Sequence, residues 1–193
     1  MESCPDPECY VSVDVEAAGP SPTTYSLLAI GACLVFDPAQ RFYVELQPLS
    51  MAFTPEAAEV HRLSLERLAA EGLPPTEAMA RFADWLKSVT PEGKTPLFVG
   101  FNAAFDWMFV NDYFYRFLGH NPFGHAPLDV KSFYMGMSGG QWCATSMRQL
   151  SLRYLGGRQL PHHALEDALI QAELFRKLLA ESRARQRARD DTP

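Results

Sequence analysis

Residues 10–16, Y-V-S-V-D-V-E, alternate strictly: Val11, Val13 and Val15 share one face of an extended chain, and Ser12, Asp14 and Glu16 share the other. The pattern predicts a strand with one apolar and one polar face. Gly19-Pro20-Ser21-Pro22 interrupts it, the apolar run Leu27 to Phe36 ends at Asp37-Pro38, and Phe42 to Leu46 follows after a short turn. Three strands in succession predict an antiparallel meander.

From Thr54-Pro55 the period becomes helical, with Pro55 at a helix-start position and Met79, Phe82, Ala83 and Leu86 at helical spacing within Thr76 to Val89. Leu97 to Phe101 reads as a strand and Asn102 to Leu118 as a helix stopped by Gly119. Pro127 to Val130 reads as a short strand, Thr145 to Leu155 as a helix stopped by Gly156-Gly157, and Ala164 to Ser182 as the last helix. This order predicts an α/β fold: a mixed five-stranded sheet flanked by helices, forming one domain over residues 1–182. Residues 183–193 form an Arg-rich end, expected to be a helix end or disordered.

With 193 residues the chain is long enough for one well-buried core, and 47% hydrophobic with 21% charged residues are globular proportions. No uninterrupted apolar run approaches the roughly 18 residues of a membrane span, so no membrane partner is expected. The first ten residues carry Glu2, Asp6 and Glu8 without an apolar stretch, unlike a secretory signal, and a cytoplasmic location follows as the expectation. Cys4 and Cys9 are the only closely spaced cysteines and have no second pair to complete a zinc site, so the thiols are expected to be free and reduced.

The formal net charge is −6, yet Arg183, Arg185, Arg187 and Arg189 crowd the C-terminus, leaving 13 basic against 21 acidic side chains in residues 1–182. A body of that sign does not attract nucleic acid through bulk electrostatics; contact with a polyanion would need a local site or a bound cation. The arginine run reads as the solvated end of a helix, with a nucleic-acid contact as the alternative.

Three segments carry candidate chemistry. Asp14 and Glu16 stand two apart on a strand, so both carboxylates face one side, the arrangement a hard divalent cation favours; an exposed polar strand face has the same pattern. Asp106 falls in the first turn of a helix that follows a strand, where an acid is stabilised by about 0.3 to 1 kcal/mol from the helix dipole alone. In Pro161-His162-His163-Ala164-Leu165-Glu166-Asp167, two histidines precede a helix that opens on Asp167; a loop imidazole with an unperturbed pKa near 6.5 beside a carboxylate suits a proton acceptor, and a core histidine that only satisfies its hydrogen bonds fits the same pattern.

Taken in order, Asp14-Val15-Glu16-Ala17-Ala18-Gly19, Asn102-Ala103-Ala104-Phe105-Asp106, Asn121-Pro122-Phe123 and His162-His163-Ala164-Leu165-Glu166-Asp167 resemble the DEDDh family of 3′–5′ exonucleases, ribonuclease T-like and proofreading exonuclease-like members above all. The resemblance spans about Val11 to Leu178. It implies a ribonuclease H-like fold, with Asp14, Glu16, Asp106 and Asp167 holding two Mg²⁺ or Mn²⁺ ions and His162 as general base; His163 and Glu166 are bystanders. It also places Ala17, Asn102, Phe105 and His61 against the substrate, His61 lying where the family often has a His-Gly-Ile-like segment.

The chain departs from the family at Ala17, often Thr, at Phe101, often His, at Leu28-Ala29-Ile30, where an acid is frequent, and at Pro20, an aromatic in ribonuclease T; none of these is a metal ligand. The activity implied is metal-dependent hydrolysis of single-stranded RNA or DNA from the 3′ end to nucleoside 5′-monophosphates, by a protein for which a homodimer is open. The alternatives are a hydrolase of very short oligoribonucleotides and a non-catalytic nucleic-acid-binding module. Aromatic residues near the motifs, Phe101, Phe105, Trp107, Phe123 and Trp142, are either core or platforms for stacked bases.

Overall fold

Strand β1 (Cys9–Ala17) runs through the middle of the molecule, because both its faces are covered and both its edges are paired. It pairs antiparallel with β2 (Leu27–Leu34), which pairs antiparallel with β3 (Arg41–Glu45). On its other edge it pairs parallel with β4 (Pro96–Gly100), and β4 with the two-residue β5 (Leu128–Asp129), giving the order β3-β2-β1-β4-β5. The computed structural model from which this architecture is read describes residues 8–190. Cys4 of the terminal pair lies outside that range; Cys9 and Cys33 are buried free thiols and Cys143 is exposed.

The alternation of β1 divides the core. Val11, Val13 and Val15 face helices α3 (Pro75–Val89) and α4 (Ala104–Leu118), packing with Met79, Phe82, Phe109 and Phe114. The opposite face, expected to be polar, is largely covered, with Ser12 and Glu16 buried and Asp14 half-buried. Helix α7 (Ala164–Asp190) lies across it, and its Ala168 carbonyl accepts a hydrogen bond from Ser12 Oγ at 2.8 Å. Helices α5 (Val130–Ser138) and α6 (Met147–Tyr154) complete that layer through Tyr134 and Leu150 beside Phe175 and Leu178. Between β3 and α3 lie two short helices, α1 (Pro55–His61) and α2 (Leu65–Glu71), capped by Thr54 and Ser64 side chains.

Several boundaries differ from the periodic reading, each for a local reason. Asn102 sits at φ 61°, a left-handed conformation, so α4 starts at Ala104 rather than Asn102. The strand expected through Val130 stops at Asp129, whose carboxylate caps a new helix, α5, by accepting from Ser132 N at 2.7 Å. The helix expected from Thr145 begins at Met147, with Ser146 as its cap and a single 3₁₀ turn (Trp142–Thr145) before it. β2 stops at Leu34 rather than Phe36, and β3 covers Arg41–Glu45 rather than Phe42 to Leu46. Helix α7 continues past Ser182 to Asp190, so Arg183 to Arg189 belong to it, on largely exposed turns. Among the described residues no helix is long and apolar enough to cross a membrane.

The approach of α7 to the sheet depends on Gly31, which pairs with Asp14 across β1 and β2. A Cβ at Gly31 would meet the backbone of Ala164 and Leu165 at 2.2 Å, too close for backbone atoms to accommodate without moving the helix. Gly31→Ala is therefore expected to destabilise the protein by about 1 to 3 kcal/mol, the range of overpacking substitutions, as measured by chemical denaturation. Unchanged stability would show that α7 is free to shift.

Candidate active site

Two elements meet over the C-terminal end of β1. Asp14 and Glu16 project from the strand face beneath α7, and Asp167 enters from the first turn of that helix. One ligand oxygen from each of Asp14, Glu16 and Asp167 lies within 4.8 Å of the others. Asp106 stands outside this triplet, at the start of α4, but is close enough to raise the Asp14 pKa electrostatically. Its Oδ1 accepts the Val15 N–H at 3.0 Å, beyond the last residue of β1 paired to β4, and so ties α4 to the strand between the two acids.

Burial and like charge push every one of these carboxyls upward. Burial dominates at Asp14, with Asp106, Glu16 and Asp167 adding repulsion, and holds its pKa well above the usual range. Burial raises Glu16 to about 7, with Asp167 contributing, and raises Asp106 to about 8. At Asp167 burial wins over the backbone N–H groups of His162 and His163 and leaves the group at about 6. None of the four makes an ion pair among the described residues, and Asp167 Oδ1 is buried without a hydrogen-bond partner.

A cleft of about 580 Å³ opens over these groups. All nine residues singled out in the sequence line it: Asp14, Glu16, Asp106, Asp167, His162, His61, Ala17, Asn102 and Phe105. His162 is exposed at the rim with φ 58°, like Asn102 in the left-handed region that seldom suits a side chain and often marks functional loops. His163 turns away and stacks on Tyr43 at 4.7 Å between ring centroids. Glu166 is exposed and does not line the cleft. His61 ends α1; its Nδ1 accepts from Leu63 N at 2.9 Å, which assigns the proton to Nε2, a buried atom without a partner. Burial lowers the His61 pKa and favours this neutral form.

Among the aromatics, Phe101 and Phe105 reach the cleft, whereas Trp107 packs edge-on against Phe98 and Phe123 is in the core. Two residues outside the sequence reading support the acids. Gln171, fully buried one turn beyond Asp167, donates from Nε2 to Asp14 Oδ1 and accepts the Phe101 N–H on Oε1 at 2.8 Å. The i,i+4 spacing from Asp167 puts it on the same helix face and was the signal available for it. Asp129 accepts the Ala103 N–H on Oδ2 at 2.8 Å and thereby fixes the start of α4; only its capping pattern, Asp-x-x-Ser, marked it.

Comparison with known proteins agrees with this arrangement. A family model described as Exonuclease, of RNase T type, matches residues 11–175, and the chain belongs to this exonuclease family, in keeping with the DEDDh resemblance of its motifs. It is 50% identical over 171 residues to the 3′–5′ DNA exonuclease Cap18 of Escherichia coli, covering 89% of this chain and 91% of that protein. The nuclease domain of 3′hExo, a DEDDh family member bound to rAMP, superposes with a TM-score of 0.72 at 13% identity, over 90% of this chain and 92% of that one. E. coli exonuclease I in complex with a dT13 oligonucleotide superposes with a TM-score of 0.71 at 16% identity, over 93% of this chain but 42% of that one. At those identities the two structures establish the fold, which is ribonuclease H-like.

The raised carboxyl pKa values carry a stability signature. A group whose pKa is higher folded than unfolded stabilises the fold below its unfolded value, near 4, and that stabilisation is lost as pH climbs through the folded value. With chelator present, the protein is expected to melt at progressively lower temperature between pH 5 and pH 8.5, the interval bracketing folded values of about 6, 7 and 8. Asp14→Asn should flatten this dependence and be no less stable than wild type at pH 8. A melting temperature that rises over the same interval would contradict the burial of these acids.

Proposed function

We propose that this protein is a divalent-metal-dependent 3′–5′ exonuclease that takes single-stranded nucleic acid and releases nucleoside 5′-monophosphates. The observation that carries the reading is the cluster of four desolvated carboxyls without a protein cation at the floor of an open cleft. The 50% identical DNA exonuclease favours DNA over RNA.

The donor set fits Mg²⁺ or Mn²⁺. Its atoms are hard carboxylate oxygens, three of them converge, and Asp167 Oδ1 has no hydrogen-bond partner among the described residues. Asp14, Glu16 and Asp167 would hold one ion, and Asp14 with Asp106 would hold part of a second. The chemistry a bound ion pair supplies is neutralisation of the carboxylates and stabilisation of charge on the scissile phosphate.

The chain's own residues supply the rest. His162, exposed at the cleft rim just before the helix, takes a proton on a ring nitrogen from the water that attacks the terminal phosphodiester. The new P–O bond forms as the bond to the 3′-oxygen breaks, and that oxygen leaves with a proton drawn from solvent. His61, Phe105 and Asn102 on the cleft wall flank the terminal nucleotide, and Ala17 leaves space for it. Gln171 holds Asp14 in place through its amide.

The test is a panel of 3′-labelled single- and double-stranded DNA and RNA in Mg²⁺. Mononucleotide release from single strands, DNA ahead of RNA, is expected. Binding without release would favour a non-catalytic module, and a rate that falls steeply with length would favour a short-oligonucleotide hydrolase. Within that assay His162→Ala is expected to lose about 10²- to 10⁴-fold in rate and His163→Ala far less. The reverse ranking would make His163 the base.

A further inference from the structure

We infer that Trp142 and Lys131 form a second nucleotide subsite, one that grips the strand upstream of the residue being removed. The inference rests on the exonuclease reading above and extends it beyond the catalytic cleft.

The three parallel strands β1, β4 and β5 all end at one edge of the sheet, in that spatial order. β1 delivers Asp14 and Glu16, the end of β4 delivers Phe101, and the end of β5 leads into Lys131 in the first turn of α5. Adjacent strands are about 4.8 Å apart, and the register sets Asp129 at the end of β5 level with Val13 of β1, two strands away, so β5 ends about 10 Å from the strand position next to Asp14, a span of about three stacked nucleotides at 3.4 Å each.

Along that edge the side chains form a continuous line. Phe101 lines the catalytic cleft, the Lys131 ammonium lies 5.9 Å from its ring centroid, and the same ammonium lies 4.2 Å from the Trp142 ring centroid. Lys131 makes no ion pair among the described residues, in a protein with a net charge of −6. Trp142 remains 50% exposed, whereas Trp85 and Trp107 pack against the core. A cation–π contact accounts for the Lys131–Trp142 approach but leaves half of an indole in water, one lysine away from Phe101 on the wall of the cleft that carries the acids.

A nucleobase is the planar, polarisable group that an exposed indole stacks, and its phosphate is the anion that an uncompensated lysine pairs with. Single strands qualify because their bases are free to stack, whereas a duplex hides them.

The test compares dT2 with dT8 as substrates in Mg²⁺, or the uridine equivalents if these turn over faster. In wild type kcat/KM is expected to be higher for dT8, and Trp142→Ala should lower the dT8-to-dT2 ratio by about 5- to 150-fold, the loss of one base stack. Trp142→Phe should keep most of the ratio and Lys131→Ala should lose part of it. Independently, dT8 should quench the tryptophan fluorescence of the slow His162→Ala protein, and adding Trp142→Phe should remove most of the quench. An active enzyme whose ratio and quench are unchanged in the Trp142 variants overturns the subsite alone. Wild-type protein that degrades neither length nor any strand of the earlier panel overturns the functional reading itself.

Discussion

Covering a strand face that carries Asp14 and Glu16 with a helix that carries Asp167 crowds three carboxylates at one point, Glu16 and Asp167 buried and Asp14 half-buried, while Asp106 approaches from a second helix. Ionised and unpaired, such a group is among the least favourable arrangements a fold can bury. Here the acids respond by holding their protons to higher pH, with values near 6, 7 and 8 at Asp167, Glu16 and Asp106. The same desolvation that weakens the metal-free fold at neutral pH is what makes the site attractive to a divalent cation. Stability and chemistry are therefore linked through one constraint.

Helix α7 enforces that constraint. Its first turn comes within backbone contact of β2 because Gly31 has no side chain, and Ser12 anchors it one turn later through the Ala168 carbonyl. On the same face, Gln171 reaches back to Asp14 and across to the backbone of Phe101, so a single neutral amide joins β1, the end of β4 and the helix. Being neutral, it positions an acid without supplying the counter-charge that would compete with a cation. Asp129 does the equivalent work for α4, whose first turn carries Asp106.

Much of this was legible along the chain because it is local. Period-two alternation located β1, Gly119 marked the end of α4, and the spacing from His162 to Asp167 separated the cleft histidine from its neighbour. What was hidden is non-local. The even-numbered face of β1 reads as polar, and only the packing of a helix more than 150 residues away makes Ser12 and Glu16 buried. Helix α5 was missed because its cap, Asp129, is also the last residue of a strand too short to stand out from the helix that follows. The stacking of His163 on Tyr43 likewise depends on β3 lying under the start of α7. Composition did limit the reading usefully, since an acidic body pointed to a local site in place of a broad basic surface.

The central claim is that Asp14, Glu16, Asp106 and Asp167 form a cation site whose acids hold part of their protons at neutral pH when it is metal-free. Calorimetric titration with Mn²⁺ at pH 7, run in two buffers of different ionisation enthalpy, tests it directly because it counts ions bound and protons released together. Binding of Mn²⁺ accompanied by proton release, with both lost in an Asp14→Asn/Asp167→Asn double variant that remains folded, is the expected result. Binding without proton release, or binding that survives in the double variant, would contradict it.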